Sequence, residues 1–222
     1  ELMRILVVGQ SPVPLREGGA ERLYRGLTHA LNLAGHTADL IKLPVREHTL
    51  GDLVGAYEAF GALDLSHADA VISGRYPAWM VEHPHHVVWM LHPLRGLYDT
   101  YPEGAFVDEP LPDFRAVRRL LDLCERPADE VDPTAIYDAV FTVESELGSG
   151  SPTMAIPSQL ARSVVHQLDR IALSPRRVRR HAAISATVAD RTGYFPFDAH
   201  PIVLHPPLEI DVRDDEPDAG YF

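Results

Sequence analysis

The stretch Met3–Gly35, MRILVVGQSPVPLREGGAERLYRGLTHALNLAG, decides how the rest of the chain is read. Ile5-Leu6-Val7-Val8 is an unbroken apolar run bounded by Gly9. That is the pattern of a short strand buried on both faces, and such strands belong to parallel sheets covered by helices. A loop with Pro12, Pro14 and the pair Gly18-Gly19 follows. Leu23, Leu27, Ala30, Leu31 and Ala34 then recur at three- and four-residue steps, an apolar stripe facing a sheet. Gly35 stands where a left-handed helix stop is wanted. Strand, glycine loop and helix together place the amides of Gly18, Gly19 and Ala20 at a helix N-terminus, where an anion is favoured. The spacing is neither G-x-G-x-x-G nor G-x-x-x-x-G-K-[ST]. Local chemistry therefore leaves two readings open, an anion loop or a tight entry into the first helix.

Outward from this unit, the same alternation continues. Ala38–Leu43 reads as a second strand closed by Pro44, and a helix follows with Leu50, Leu53, Val54, Tyr57 and Phe60 on one side. Ala70–Ser73, ended by Gly74, and His86–His92, ended by Pro93, read as the third and fourth strands. Short strands alternating with amphipathic helices mean βαβ units: an α/β fold with a Rossmann-like parallel sheet flanked by helices and right-handed crossovers. Residues 97–157 break the rhythm with Pro102, Pro110, Pro112, Pro127, Pro133 and Pro152 and the loop Gly148-Ser149-Gly150-Ser151. They read as an inserted segment carrying one helix, 113–124, and a strand at Ala139–Val143. Regular pattern returns with Ser158 as N-cap of a helix to about Leu173. A strand at His181–Ile184, a short helix capped by Ser185 and a last strand at Ile202–Leu204 complete the domain, 3–208. Residues 209–222 read as the start of an acidic interdomain linker, and Glu1-Leu2 as residues ahead of a native start at Met3.

Composition narrows the classes. The 222 residues carry a formal charge of -12, a poor match to nucleic acid. No apolar run approaches the ~20 residues of a membrane span, and no signal peptide is visible. The single cysteine, Cys124, excludes an internal disulfide and suits a reducing cytoplasm. His83, His85 and His86 cluster in sequence, yet His85 and His86 point to opposite faces of an extended chain, which disfavours a metal. His92 closes a buried strand at the carboxyl edge, where open α/β sheets place ligands.

Three stretches taken in order resemble the N-terminal domain of GT-B-fold glycosyltransferases, the retaining group-1 (family 4) type. They are Met3–Val8 with Gly18-Gly19-Ala20-Glu21-Arg22; Val88-Trp89-Met90-Leu91-His92-Pro93 through Asp99; and Leu168–Leu173 continuing through Arg176-Arg177-Val178 and Ala183–Arg191 to Val203–Leu208. The 97–157 insertion lies outside the match. The resemblance implies a two-domain enzyme that moves a hexose from a nucleotide-diphosphate sugar to an acceptor hydroxyl in the interdomain cleft, without a metal or other cofactor. The donor-gripping second domain is absent from the sequence, so the chain by itself is expected to be inactive. By the same resemblance Gly18, Gly19 and Arg22 approach the donor diphosphate, His92 is the catalytic imidazole, and Arg95, Tyr98 and Ser185 face a carbohydrate, lipid or small-molecule acceptor. It also implies a cytoplasmic protein with no integral membrane segment, either free or peripheral to the inner membrane face. Two other classes compete: a stand-alone acceptor-binding or regulatory subunit, and a nicotinamide-dependent oxidoreductase. The latter lacks the glycine fingerprint and an acid at the end of the second strand, Asp39 lying within it.

Overall fold

A computed structural model describes residues 2–13, 18–102, 104 and 111–206. In chain order it contains β1 (Arg4–Pro12), α1 (Gly19–Leu33), β2 (Thr37–Val45), α2 (Leu50–Gly61), β3 (Ala70–Arg75), β4 (His86–His92), α3 (Arg115–Glu125), α4 (Pro133–Leu147), α5 (Gln159–Ala172), β5 (Arg180–Ala183), α6 (Ala186–Ala189) and β6 (Ile202–Val203). The strands form one sheet in the order β2-β1-β3-β4-β5-β6, every neighbouring pair parallel. The α/β, Rossmann-like parallel sheet expected from the sequence is the observed fold. The expected linker at 209–222 lies outside the described residues.

Several boundaries differ from expectation, β3 among them, which runs through Gly74 to Arg75. β1 runs past Gly9 to Pro12, because Gln10 and Ser11 continue the pairing with β2. β2 likewise runs through Pro44, which pairs with Ser11. A proline is tolerated there because β2 is an edge strand, with β1 as its neighbour. Ala139–Val143, expected as a strand, lies inside α4. Asp132 caps that helix by accepting from the Thr134 amide at 2.9 Å, Pro133 sits in its first turn, and Ile136, Tyr137, Val140 and Val143 are buried at helical spacing.

Right-handed crossovers put α1 and α2 on opposite faces of the sheet. On the α2 side, α3, α4 and α5 pack against one another and α4 packs on α2. The segment 97–157 therefore belongs to the main core, to which it contributes Leu97, Leu120, Ile136, Val140 and Met154. On the other face α1 buries Tyr24; the expected stripe of Leu23, Leu27, Ala30 and Leu31 is half-buried and Ala34 is exposed. The Tyr24 ring takes the space a side chain at position 9 would need, its Cε2 lying 2.7 Å from where a Cβ would stand. Gly35 has φ 93°, the left-handed stop read from the sequence.

At the end of β3 a Cβ on Gly74 would lie 2.7 Å from Leu91 Cδ1 and 2.8 Å from the Trp89 carbonyl oxygen. Backbone cannot yield as a side-chain tip can. Gly74→Ala is expected to cost about 2–3 kcal/mol in urea unfolding with an unchanged m-value; a loss below about 0.5 kcal/mol would contradict that close approach.

Candidate functional site at the carboxyl rim

Parallel strands bring all their carboxyl ends to one edge. The chain steps from β1 out to β2 and returns across it to β3, so the order reverses between β1 and β3. Open α/β sheets place ligands at that reversal. Gln10 from β1, Gly18 and Gly19 at the start of α1, and Arg75 ending β3 stand on this rim, and Arg75 is the register partner of His92, which ends β4. Gly18, Gly19 and His92, singled out in the sequence, are thus brought to one edge. Arg75 and Gln10 join them unannounced; a cation directly after a strand-ending glycine was the available signal.

Arg75 is held in place from several sides. With the Gln10 amide oxygen turned toward it, Arg75 donates from Nε at 2.7 Å and Nη1 at 3.0 Å. Its Nη2 donates to the Tyr76 hydroxyl at 3.2 Å, and that hydroxyl donates in turn to Glu47. Glu47 lies 4.0 Å from the guanidinium. Because β2 extends to Val45, Glu47 stands on the rim just beyond it, although no acid ends the strand itself.

His92 donates from Nδ1 to the Pro93 carbonyl at 2.8 Å. A carbonyl only accepts, so the neutral ring carries its lone pair on Nε2. Burial lowers the pKa, and nearby Arg75 and Arg95 add to the effect against the Pro93 bond. The imidazole is therefore neutral at pH 7, an acceptor rather than a cation.

The helix terminus already holds an anion. The Gly18 amide donates to the Glu21 carboxylate at 3.0 Å, and Lys42 lies 3.6 Å from that carboxylate. The Gly18 amide, expected bare, is occupied. Arg22 is exposed on the first turn and forms no ion pair among the described residues.

The three expected acceptor residues diverge. Arg95 is close to β4 but bonds Asp99 at 3.1 Å, and Asp99 also takes Arg191 at 2.6 Å. Tyr98 turns inward: its hydroxyl donates to Asp169 at 2.7 Å. Ser185 is the N-cap of α6, accepting from the Val188 amide at 3.2 Å. Within the histidine cluster, His83 accepts at Nδ1 from the His85 amide at 3.1 Å, the two rings lying 6.1 Å apart. His83 bonds the Ala68 carbonyl, and His86, fully buried, shares a 2.8 Å hydrogen bond with Ser73 while burial pushes its pKa down to about 3. Among the described residues no group of three or more His, Cys, Asp or Glu is placed to hold a metal ion, and no helix is long and apolar enough to cross a membrane.

The sequence motifs assign Asp169 no role, although a carboxylate beside Leu168 and Ile171 on a core-facing helix is itself a signal. It accepts from Tyr57 at 2.5 Å, Trp79 at 2.8 Å and Tyr98 at 2.7 Å. Burial raises its pKa to about 6 against the three donors.

A recess of about 730 Å³ opens at the amino edge of the sheet beside Asp64, Asp69 and Glu82. Those carboxylates are committed to Ser66, the Arg4 amide and Arg177. The rim, where the strand order reverses, is the better candidate.

No protein-family profile, no curated protein and no solved structure matches the chain.

An acid whose folded pKa is raised binds more protons folded than unfolded between its two pKa values, so its contribution to stability falls as pH rises across that window. For Asp169 the window runs from the ordinary 3.8 to about 6. Asp169→Ala leaves the Trp79 donor and the Tyr57 and Tyr98 hydroxyls without their buried acceptor and is expected to cost about 2–4 kcal/mol at pH 4. In urea unfolding the gap between wild type and variant narrows from pH 4 to pH 6; a constant gap would contradict the raised pKa.

Proposed function

We propose that the chain is the Rossmann-like, acceptor-side domain of a retaining glycosyltransferase moving a hexose from a nucleotide-diphosphate sugar to a hydroxyl. One observation carries the reading: α1's glycine-capped N-terminus, Arg75 and the imidazole of His92 share the carboxyl rim around the point where strand order reverses. The order of the sequence motifs supports it independently.

In this reading the rim faces the donor, and a second nucleotide-gripping domain closes over it. Arg75, braced by Gln10, presents a guanidinium to the diphosphate, and the Gly18-Gly19 turn approaches the same group when Glu21 swings away. His92 accepts a hydrogen bond at Nε2 from a hydroxyl of the transferred sugar and fixes its position. The acceptor hydroxyl attacks on the face the diphosphate leaves. Catalysis is positioning and electrostatic stabilisation, with no covalent enzyme intermediate. Tyr98 and Ser185 support the site through packing and helix capping.

A nicotinamide-dependent oxidoreductase is the second reading, favoured by Glu47 beyond β2, where an acid can take ribose hydroxyls. Tyr76 and Arg75 already occupy Glu47, and the glycine fingerprint is missing.

The deciding assay is nucleotide-diphosphate release by the full-length protein over UDP-, GDP- and ADP-hexoses with an acceptor panel. Transfer is expected with one nucleotide, His92→Ala lowering kcat by about 10²-fold and Arg75→Gln raising donor KM by about tenfold. Wild-type kcat holds through neutrality and declines only below the ordinary imidazole value of about 6.5, as protonation removes the acceptor at Nε2. Full activity in His92→Ala would remove the imidazole from the mechanism. Saturable NADH binding by fluorescence, with no sugar nucleotide turned over, would select the second reading.

A further inference from the structure

The chain's negative charge is not evenly spread. On α5, Arg162, His166 and Arg170 succeed one another at four-residue steps and so share a face. A recess of about 410 Å³ opens on Arg162, His166 and Arg170, and another of about 610 Å³ on Arg162, His166 and Arg191. The second shares Tyr98 and Tyr194 with a cavity of about 270 Å³, which continues to Leu173, Phe195 and Phe197 and has Asp169 in its wall. The three spaces form one groove with a basic end and an aromatic end.

The acidic groups along the groove are largely spoken for. Asp99 is shared by Arg95 and Arg191, and Asp169 takes three donors. Glu125 remains at the outer end. The cations are oriented by their own contacts: Arg162 lies 4.4 Å over the Tyr101 ring, Arg170 donates to the Cys124 carbonyl at 2.8 Å, and Arg191 donates to the Tyr194 hydroxyl at 2.8 Å. At the aromatic end, Tyr98 stacks on His166 with centroids 4.0 Å apart and meets Tyr194 edge-on at 6.1 Å. Phe197 stands fully exposed at the mouth.

We propose that this groove binds an organic anion, a ring bearing a phosphate or carboxylate. The ring lies in the cavity among Tyr98, Tyr194 and Phe197, and the anionic group meets Arg162 and Arg191 in the adjoining recess. A fork of guanidinium donors suits either group, and edge-on aromatic walls suit a flat or saturated ring. The groove runs beside the rim, its Tyr98 and Asp99 following β4 beyond His92, but it does not depend on the transfer reading.

Isothermal titration of the full-length protein with phenyl phosphate, inorganic phosphate and phenol tests it. Phenyl phosphate is expected to bind at least about tenfold tighter than either fragment, and more weakly as salt rises. Arg162→Gln and Arg191→Gln are each expected to weaken it about fivefold. Tyr194→Leu removes the preference for phenyl phosphate over inorganic phosphate. Phe197→Ser, at an exposed position that leaves the core intact, reduces that preference if Tyr194→Leu does not fold. Equal binding of phenyl phosphate and inorganic phosphate, or wild-type affinity in both arginine variants, would overturn the proposal. So would loss of binding in Arg75→Gln with the groove variants unaffected, because the anion would then sit on the rim.

Discussion

The helical layer on the α2 side closes around one buried carboxylate. Asp169 on α5 takes hydrogen bonds from Tyr57 on α2, Trp79 on the turn after β3 and Tyr98 on the turn after β4. Each donor comes from a different piece of chain, so one residue sets the spacing of four elements. A carboxylate in an apolar interior is tolerated only when its oxygens are satisfied, and a partly satisfied network costs more than an apolar one. That demand makes the arrangement of the layer specific, whereas hydrophobic burial alone would accept several packings.

On the opposite face, close backbone approach is the governing constraint. Tyr24 lies over Gly9, and Leu91 and the Trp89 carbonyl lie where a side chain at position 74 would be. These small positions bring β1, β3 and β4 and the start of α1 near one another at the carboxyl edge. Arg75 follows Gly74 directly and is drawn onto the rim, where Gln10 and Tyr76 orient it. Packing in the sheet and charge placement at its edge are therefore coupled through one residue.

The fold was legible because strands buried on both faces appear as apolar runs, and Val71, Val88 and Met90 leave little room for another reading. Errors arose where a tertiary fact overrides a local signal. Pro44 ends a strand only if both of its edges are paired, and β2 has a free edge. Ala139–Val143 has β-forming residues, but the Asp132-Pro133 start commits the segment to helix. In the site, His92 and the glycine pair could be placed because their positions at element ends are local facts. The direction of Tyr98 could not: its partner Asp169 is 71 residues away, and side-chain orientation at that distance is decided by packing.

Glu21 gives the rim a further property. A carboxylate three residues along the chain from the amide it occupies is present at a high effective concentration, which free monovalent anions such as chloride or acetate do not match in dilute solution. A diphosphate brings several charges and can engage Arg75 at the same time, so it has the means to displace the resident group. Under the transfer reading proposed above, valence is then what the glycine turn selects: common salts leave Glu21 in place, and a polyanion displaces it.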